Sequence, residues 1–270
     1  MWFAIENVRE KIRRLPEALS LAEGTTNAIR EGLVLGRDAT VCYPSELPPK
    51  PGLSMPEGHA RLLHDLANIE LQAMELAVRS LYEFPEAPAE FKRDLSEIAL
   101  GEARHLGLCL DALDDLNRPW GTWGVHTSLW SAVGPEDTLL DRLAIVHRYL
   151  EGSGLDSGER IMRRLSGVQD LGLRRVMTVI TTEEVDHVLF GSRWFQKVCE
   201  EQKLDSEQEF IQRLEKIFRL IPRREKVARD LRVRAGFTPL EIDALEKVQT
   251  TQLGSFASSM GKRESAVLPV

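Results

Sequence analysis

Two short stretches each place a glutamate and a histidine three residues apart. They are Glu102 and His105 in "GEARHLGLCL" (101–110), and Glu184 and His187 in "TTEEVDHVLFG" (181–191). In a helix, residues i and i+3 share a face. Leu106, Cys109 and Leu110 in the first stretch, and Val185, Val188 and Leu189 in the second, mark that face as inward. A carboxylate and an imidazole bordering a core are costly unless something pairs with them. Carboxylate oxygen and imidazole nitrogen together suit iron or manganese.

One such pair is commonplace on a solvated helix, but here the pairs have matched company. Glu70 precedes Glu102 by 32 residues, and Glu151 precedes Glu184 by 33. Two antiparallel helices joined by a short loop bring their midpoints together. Glu70 lies about 14 residues before the end of one predicted helix and Glu102 about 14 into the next, so at a rise of about 1.5 Å per residue they meet at one level. The same holds for Glu151 and Glu184. Glu159 is the alternative to Glu151, but it lies only 25 residues before Glu184 and would sit nearer the turn. Two such hairpins packed together put Glu70, Glu102, His105, Glu151, Glu184 and His187 at one centre. This is the ligand set of a carboxylate-bridged di-metal site. Without cations, four buried carboxylates would repel one another severely.

The elements that would position these residues are helical. No alternating strand pattern of useful length occurs, so the chain is expected to be all-α. An amphipathic helix is predicted over 3–22. "YPSELPPKPGLSMP" (43–56) holds five prolines and reads as an extended strap. Long helices are predicted over 58–84 and 89–116, a third starting at Pro135-Glu136-Asp137, and a fourth over 171–202. The expected organisation is an N-terminal helix and strap (1–57), a four-helix bundle (58–202) and a C-terminal helical extension packed on it (203–270), with a loose tail after Leu253.

Length and charge agree with a folded, water-facing protein. The chain has 270 residues, 43% hydrophobic and 29% charged, and a net charge of −7 that argues against nucleic-acid binding by the whole surface. The N-terminus is too charged for a signal peptide, and no stretch approaches the roughly 20 apolar residues of a membrane span. Cys42, Cys109 and Cys199 are widely spaced and odd in number, which suggests reduced thiols and a cytoplasmic location.

The motifs "ANIELQAMELA", "EARHLGL", "LEGSGLD" and "EEVDHVLFGSRWF" resemble the ferritin-like family catalogued as domain of unknown function four-five-five. The resemblance runs over about residues 45 to 245. That family is similar to a di-iron tRNA hydroxylase acting on a prenylated adenosine. The resemblance implies a ferritin-like bundle with the same six residues as ligands. Asn68 stands where a histidine is expected, and "EGSGLD" where "EARGLD" is expected; neither departure removes a ligand.

The expected function is a di-iron carboxylate oxidoreductase that activates dioxygen to hydroxylate or oxidise an organic substrate, a small metabolite or a modified nucleoside. Its cofactor would be two iron ions, with manganese or a mixed pair as the variant. Electrons would come from an external donor, because no flavin or nicotinamide fingerprint is present; a homodimer is a further expectation. The alternatives are a metal-handling or peroxide-scavenging protein and a non-catalytic scaffold.

Other residues admit two readings each. Gly152, Gly154 and Gly158 either distort the helix into a π-bulge beside the metals or mark its end near Glu151 and restart at Ser157. His147 is a core histidine, a partner to a ligand or a third nitrogen ligand. Asp186 is a candidate to orient a ligand histidine across the bundle, with Arg104 beside the other. His59 and His64 read as structural. Trp120, Trp123 and Trp130 either anchor the long crossover or line an entrance. Residues 211–235 carry nine Lys or Arg against three acids, a solvated face or a site for an anionic partner.

Overall fold

The structure, a computed structural model, describes residues 1–220 and 225–249. Among these the chain is helical, and extended pairing is confined to an isolated bridge between Val41 and Val125. The expected tail after Leu253 lies outside the described residues.

The N-terminal helix is broken in two. A 3-10 turn (Trp2–Ala4) precedes α1 (Val8–Arg13), which the Asn7 side chain caps, and α2 (Leu15–Glu23). The break falls where Pro16 has no N–H to continue the ladder. Lys11 on α1 is buried and donates from Nζ to Glu75 at 2.7 Å, and Arg37 grips the same carboxylate at 2.7 and 2.5 Å. This triad ties the N-terminal segment to the first long helix. The Pro-rich segment then runs as irregular chain around one 3-10 turn (Pro44–Glu46).

The first hairpin is α3 (Pro56–Glu83) and α4 (Ala89–Asp115), broken by Pro85 and Pro88. Pro56 opens α3, where a missing N–H costs nothing. Leu63, Ala67, Leu71, Met74, Val78 and Leu81 recur at helical spacing and are all buried. The second hairpin begins at Leu139 rather than at Pro135. The Thr138 hydroxyl accepts from the Asp141 N–H while the Asp141 carboxylate accepts from the Thr138 N–H, both at 3.1 Å, and this capping box sets the start. From there α5 (Leu139–Arg142), a π-helical segment (Leu143–Leu150) and α6 (Glu151–Arg164) follow without interruption and pack against α7 (Leu171–Glu201). The helix therefore neither ends at Glu151 nor bulges at the glycines. Its wide turns lie upstream, and the glycines sit in regular α-helix. The two hairpins meet through α4 and α7.

Beyond α7, α8 (Ser206–Leu220) and α9 (Arg229–Arg234) pack on the second hairpin, and α10 (239–249) is tied to it through Glu241. Arg148 projects from the π segment between Phe195, Phe210 and Phe237 and pairs with Glu241 at 2.7 Å. In the basic stretch 211–235, Arg223 and Arg224 lie outside the described residues. Arg213, Arg229 and Arg232 are held by Asp141 and Glu209, Asp243 and Glu246, and Asp156 respectively, so intramolecular carboxylates neutralise them. Among the described residues no helix is long and apolar enough to cross a membrane.

The crossover tryptophans anchor the loop. Trp120 stacks on His64 at 4.9 Å, Trp123 meets the same ring edge-on at 5.3 Å, and Trp130 packs on Phe3 and under Arg79. His59 bridges Asp170, the cap of α7, and the Leu53 carbonyl. His64 is fully buried, and its Nε2 accepts the Gly121 N–H at 3.2 Å. Burial pushes its pKa down from 6.5 to about 4. The unfolded chain therefore takes up this proton first as pH falls. The stability is complete above pH 6.5 and is lost on acidification toward pH 4, by about 2 kcal/mol. Urea denaturation across that window should show a smaller loss in His64→Phe than in wild type; equal slopes would contradict it.

Candidate metal centre

Eight carboxylates are buried among the described residues: Glu70, Glu75, Glu83, Glu102, Glu151, Asp156, Glu184 and Glu241. They fall into two groups. Glu75 is held by Lys11 and Arg37, Glu83 by Arg79 and Arg142, Asp156 by Arg232, and Glu241 by Arg148. Glu70, Glu102, Glu151 and Glu184 have histidines as their ionic partners instead. The fold supplies a strong base to every buried acid except those at the centre.

Glu102 is the middle of that centre. Its Oε1 lies 2.7 Å from His187 Nδ1 and its Oε2 lies 3.9 Å from His105 Nδ1. His105 Nδ1 is also 3.4 Å from Glu70 Oε2, and His187 Nδ1 is 3.7 Å from Glu184 Oε2. The two rings lie face to face with centroids 5.2 Å apart. Glu102, His105, Glu184 and His187 offer ligand atoms that all lie within 4.8 Å of one another. The hairpin register thus delivers both Glu-x-x-His pairs and Glu70 to one place.

Glu151 stands apart from that group of four. It lines the same cavity, but its Oε1 is 2.9 Å from His147 Nδ1. His147 is consequently a partner of a carboxylate rather than a member of the cluster. Glu159 is exposed and pairs with Arg163. The centre also contains buried polar atoms without hydrogen-bond partners: His105 Nδ1, His147 Nε2 and Glu151 Oε2. Such atoms are rare in folded interiors and call for an explanation such as an ion or a reactive role. Cations among the carboxylates would satisfy His105 Nδ1 and Glu151 Oε2 directly.

Electrostatics give the same answer. Burial and the neighbouring Glu102 push the Glu70 carboxyl up to about 8, and burial with Glu102 raises Glu184 well above the usual range. Burial opposes charge on Glu102 and on His187 as well, but their mutual attraction wins. It carries His187 up to about 10 and Glu102 down. Left to itself, the cluster can exist only by holding protons that metal ions would displace.

Glu183 went unnoticed in the sequence. Its carboxylate lies 2.8 Å from His105 Nε2 and is held by Arg104 at 2.5 Å, fixing the ring from behind. Asp186, the expected candidate for this task, is exposed. The adjacent "EE" at 183–184 was the available signal: the second glutamate turns inward and the first reaches across to α4. His187 has a different backing. Its Nε2 faces Gly101, where a Cβ would lie only 2.6 Å away. The position before each inward glutamate is therefore an acid in one half and a glycine in the other.

The glycines after Glu151 each admit something close. A Cβ at Gly152 would sit 2.2 Å from Arg232 Nη1, and one at Gly158 would sit 2.7 Å from Thr181 Cγ2 on α7. Gly154 faces Glu184 across the cavity, with its Cβ position 3.4 Å from Oε1. This cavity, about 320 Å³, reaches from the four carboxylates to the surface. None of the crossover tryptophans lines it.

Asn68 does not touch the centre. Its Nδ2 donates to the His126 carbonyl at 3.1 Å.

A family model described as "Protein of unknown function (DUF455)" matches residues 5–243. An uncharacterized protein of Haemophilus influenzae is 28% identical over 211 residues, covering 75% of this chain and 73% of that protein. No solved structure matches the chain. With nearly its whole described length matched, the chain belongs to the DUF455 family.

Proposed function

We propose that the protein is a ferritin-like di-metal carboxylate oxidoreductase that uses dioxygen to hydroxylate or oxidise an organic molecule. The observation that carries this reading is the division among the buried acids. Four are neutralised by Lys or Arg, and four converge on imidazoles beside a cavity. Glu70, Glu102, His105, Glu151, Glu184 and His187 would hold two ions, iron by donor chemistry, with manganese or a mixed pair also fitting. A bound iron pair supplies the activation of dioxygen.

The chain's own part is positioning and exclusion. Glu183 and Arg104 fix the His105 ring, and the π segment with His147 fixes Glu151. The apolar walls of the cavity confine the approach of solvent to its mouth. A purely metal-storing protein needs no such chamber, and this favours the oxidoreductase reading over metal handling. Electrons would come from a separate reductase. The three thiols are free, which suits a reducing compartment.

The test is oxygen uptake by protein loaded anaerobically with iron and then reduced chemically. Uptake well above that of free iron is expected in wild type and should vanish in Glu184→Ala. Loaded protein that consumes no oxygen would count against the reading.

A further inference from the structure

Four features of the cavity bear on what it admits. Its inner end is the carboxylate group. Its walls include Leu62, Leu66, Ile69, Met177 and Ile180. Ile69 is 41% exposed while every other residue from Ala67 to Glu83 is buried, and the cavity accounts for that exposure. Its outer end carries two ion pairs, Lys50 with Asp65 at 2.8 Å and Arg160 with Glu225 at 2.6 Å. Lys50 is 71% and Arg160 41% exposed, so this end meets solvent.

Building on the oxidoreductase reading, we infer that the cavity takes the apolar chain of a free small molecule, with its polar end left among the ion pairs at the mouth. The size follows from the volume. At about 30 Å³ per water-sized group, 320 Å³ holds about ten such groups. That is the lower end of small-molecule sites. The chain must be slender, because α7 comes close where Gly154 and Gly158 line the cavity: their Cβ positions lie only 3.4 Å from Glu184 Oε1 and 2.7 Å from Thr181 Cγ2. A polymer is disfavoured by charge. Arg160 is paired with Glu225, and Lys50 shares Asp65 with the buried Arg61, so the mouth carries a single surplus positive charge, too little to hold a phosphate backbone. The net charge of −7 points the same way.

Straight-chain 1-alkanols from hexanol to dodecanol are the probes, titrated calorimetrically into iron-loaded protein under anaerobic conditions and, in parallel, into chelator-stripped protein. Binding should tighten about fourfold per added methylene and level off near about ten carbons, where the cavity is full. Leu66→Trp and Gly154→Leu should each move that plateau to shorter chains. Affinity that ignores chain length, or a plateau unmoved in both folded variants, would overturn the inference. So would a short single-stranded RNA that binds more tightly than the alkanols and displaces them. Protein that takes up no iron yet shows the graded series would leave the occupant of the cavity standing and remove the oxidoreductase reading instead.

Discussion

Glu70→Gln is expected to melt higher than wild type when both are stripped of metal at pH 7, and to lose most of its capacity to hold iron. Burial and Glu102 raise the Glu70 carboxyl from 4.5 to about 8. Its contribution to stability is therefore complete below pH 4.5 and is lost as pH rises toward 8, because the unfolded chain releases this proton first. Glutamine stays neutral throughout. At pH 7 the gain is on the order of 2 kcal/mol, or about 5 °C in melting temperature. Glu102→Ala should have the larger effect on metal. Its two oxygens face His187 and His105, so its loss disrupts both halves. Mass spectrometry should find about two ions per loaded wild-type chain, the number such a ligand set holds, and close to none in Glu102→Ala. A Glu102→Ala protein that keeps both ions, or a stripped Glu70→Gln protein less stable than wild type at pH 7, would refute the account of the centre. The opposed signs are the point: the carboxylates that bind the ions burden the fold when the ions are absent.

Much of this arrangement was legible from spacing. The long helices expected at 58–84, 89–116 and 171–202 are Pro56–Glu83, Ala89–Asp115 and Leu171–Glu201. Helical periodicity over 25 or more residues averages out local ambiguity, and proline marks the break between α3 and α4. Register arithmetic then places Glu70 beside His105 and Glu102 beside His187. What was hidden depends on local winding or on distant partners. Eight residues of π-helix, Leu143–Leu150, are too short for their period to be told from 3.6. Gly152 looked like a helix breaker because its partner, Arg232, lies 80 residues further on. Glu183 could be preferred to Asp186 only once α4 and α7 were set side by side.

The Gly152–Arg232 contact leads to the second large effect. Arg232 is 1% exposed and reaches Asp156 at 2.6 Å and the Arg148 carbonyl at 3.0 Å, while Asp156 also accepts the Ala228 N–H at 2.8 Å. One carboxylate thus fastens α9 and the chain before it to the second hairpin. Removing one partner of a buried pair leaves an uncompensated charge and costs about 3–5 kcal/mol. Asp156→Asn should therefore lower the melting temperature by about 10 °C. Gly152→Ala should also destabilise, although alanine in a helix interior ordinarily gains about 1 kcal/mol over glycine. Its Cβ would displace the guanidinium from the place it occupies 2.2 Å away. Because Glu225 at the cavity mouth lies three residues before Ala228, both variants should also become more sensitive to protease around residues 225–235. Thermal melts and limited proteolysis of the two variants decide the matter. A Gly152→Ala protein as stable as wild type would show that the Arg232 anchor contributes little.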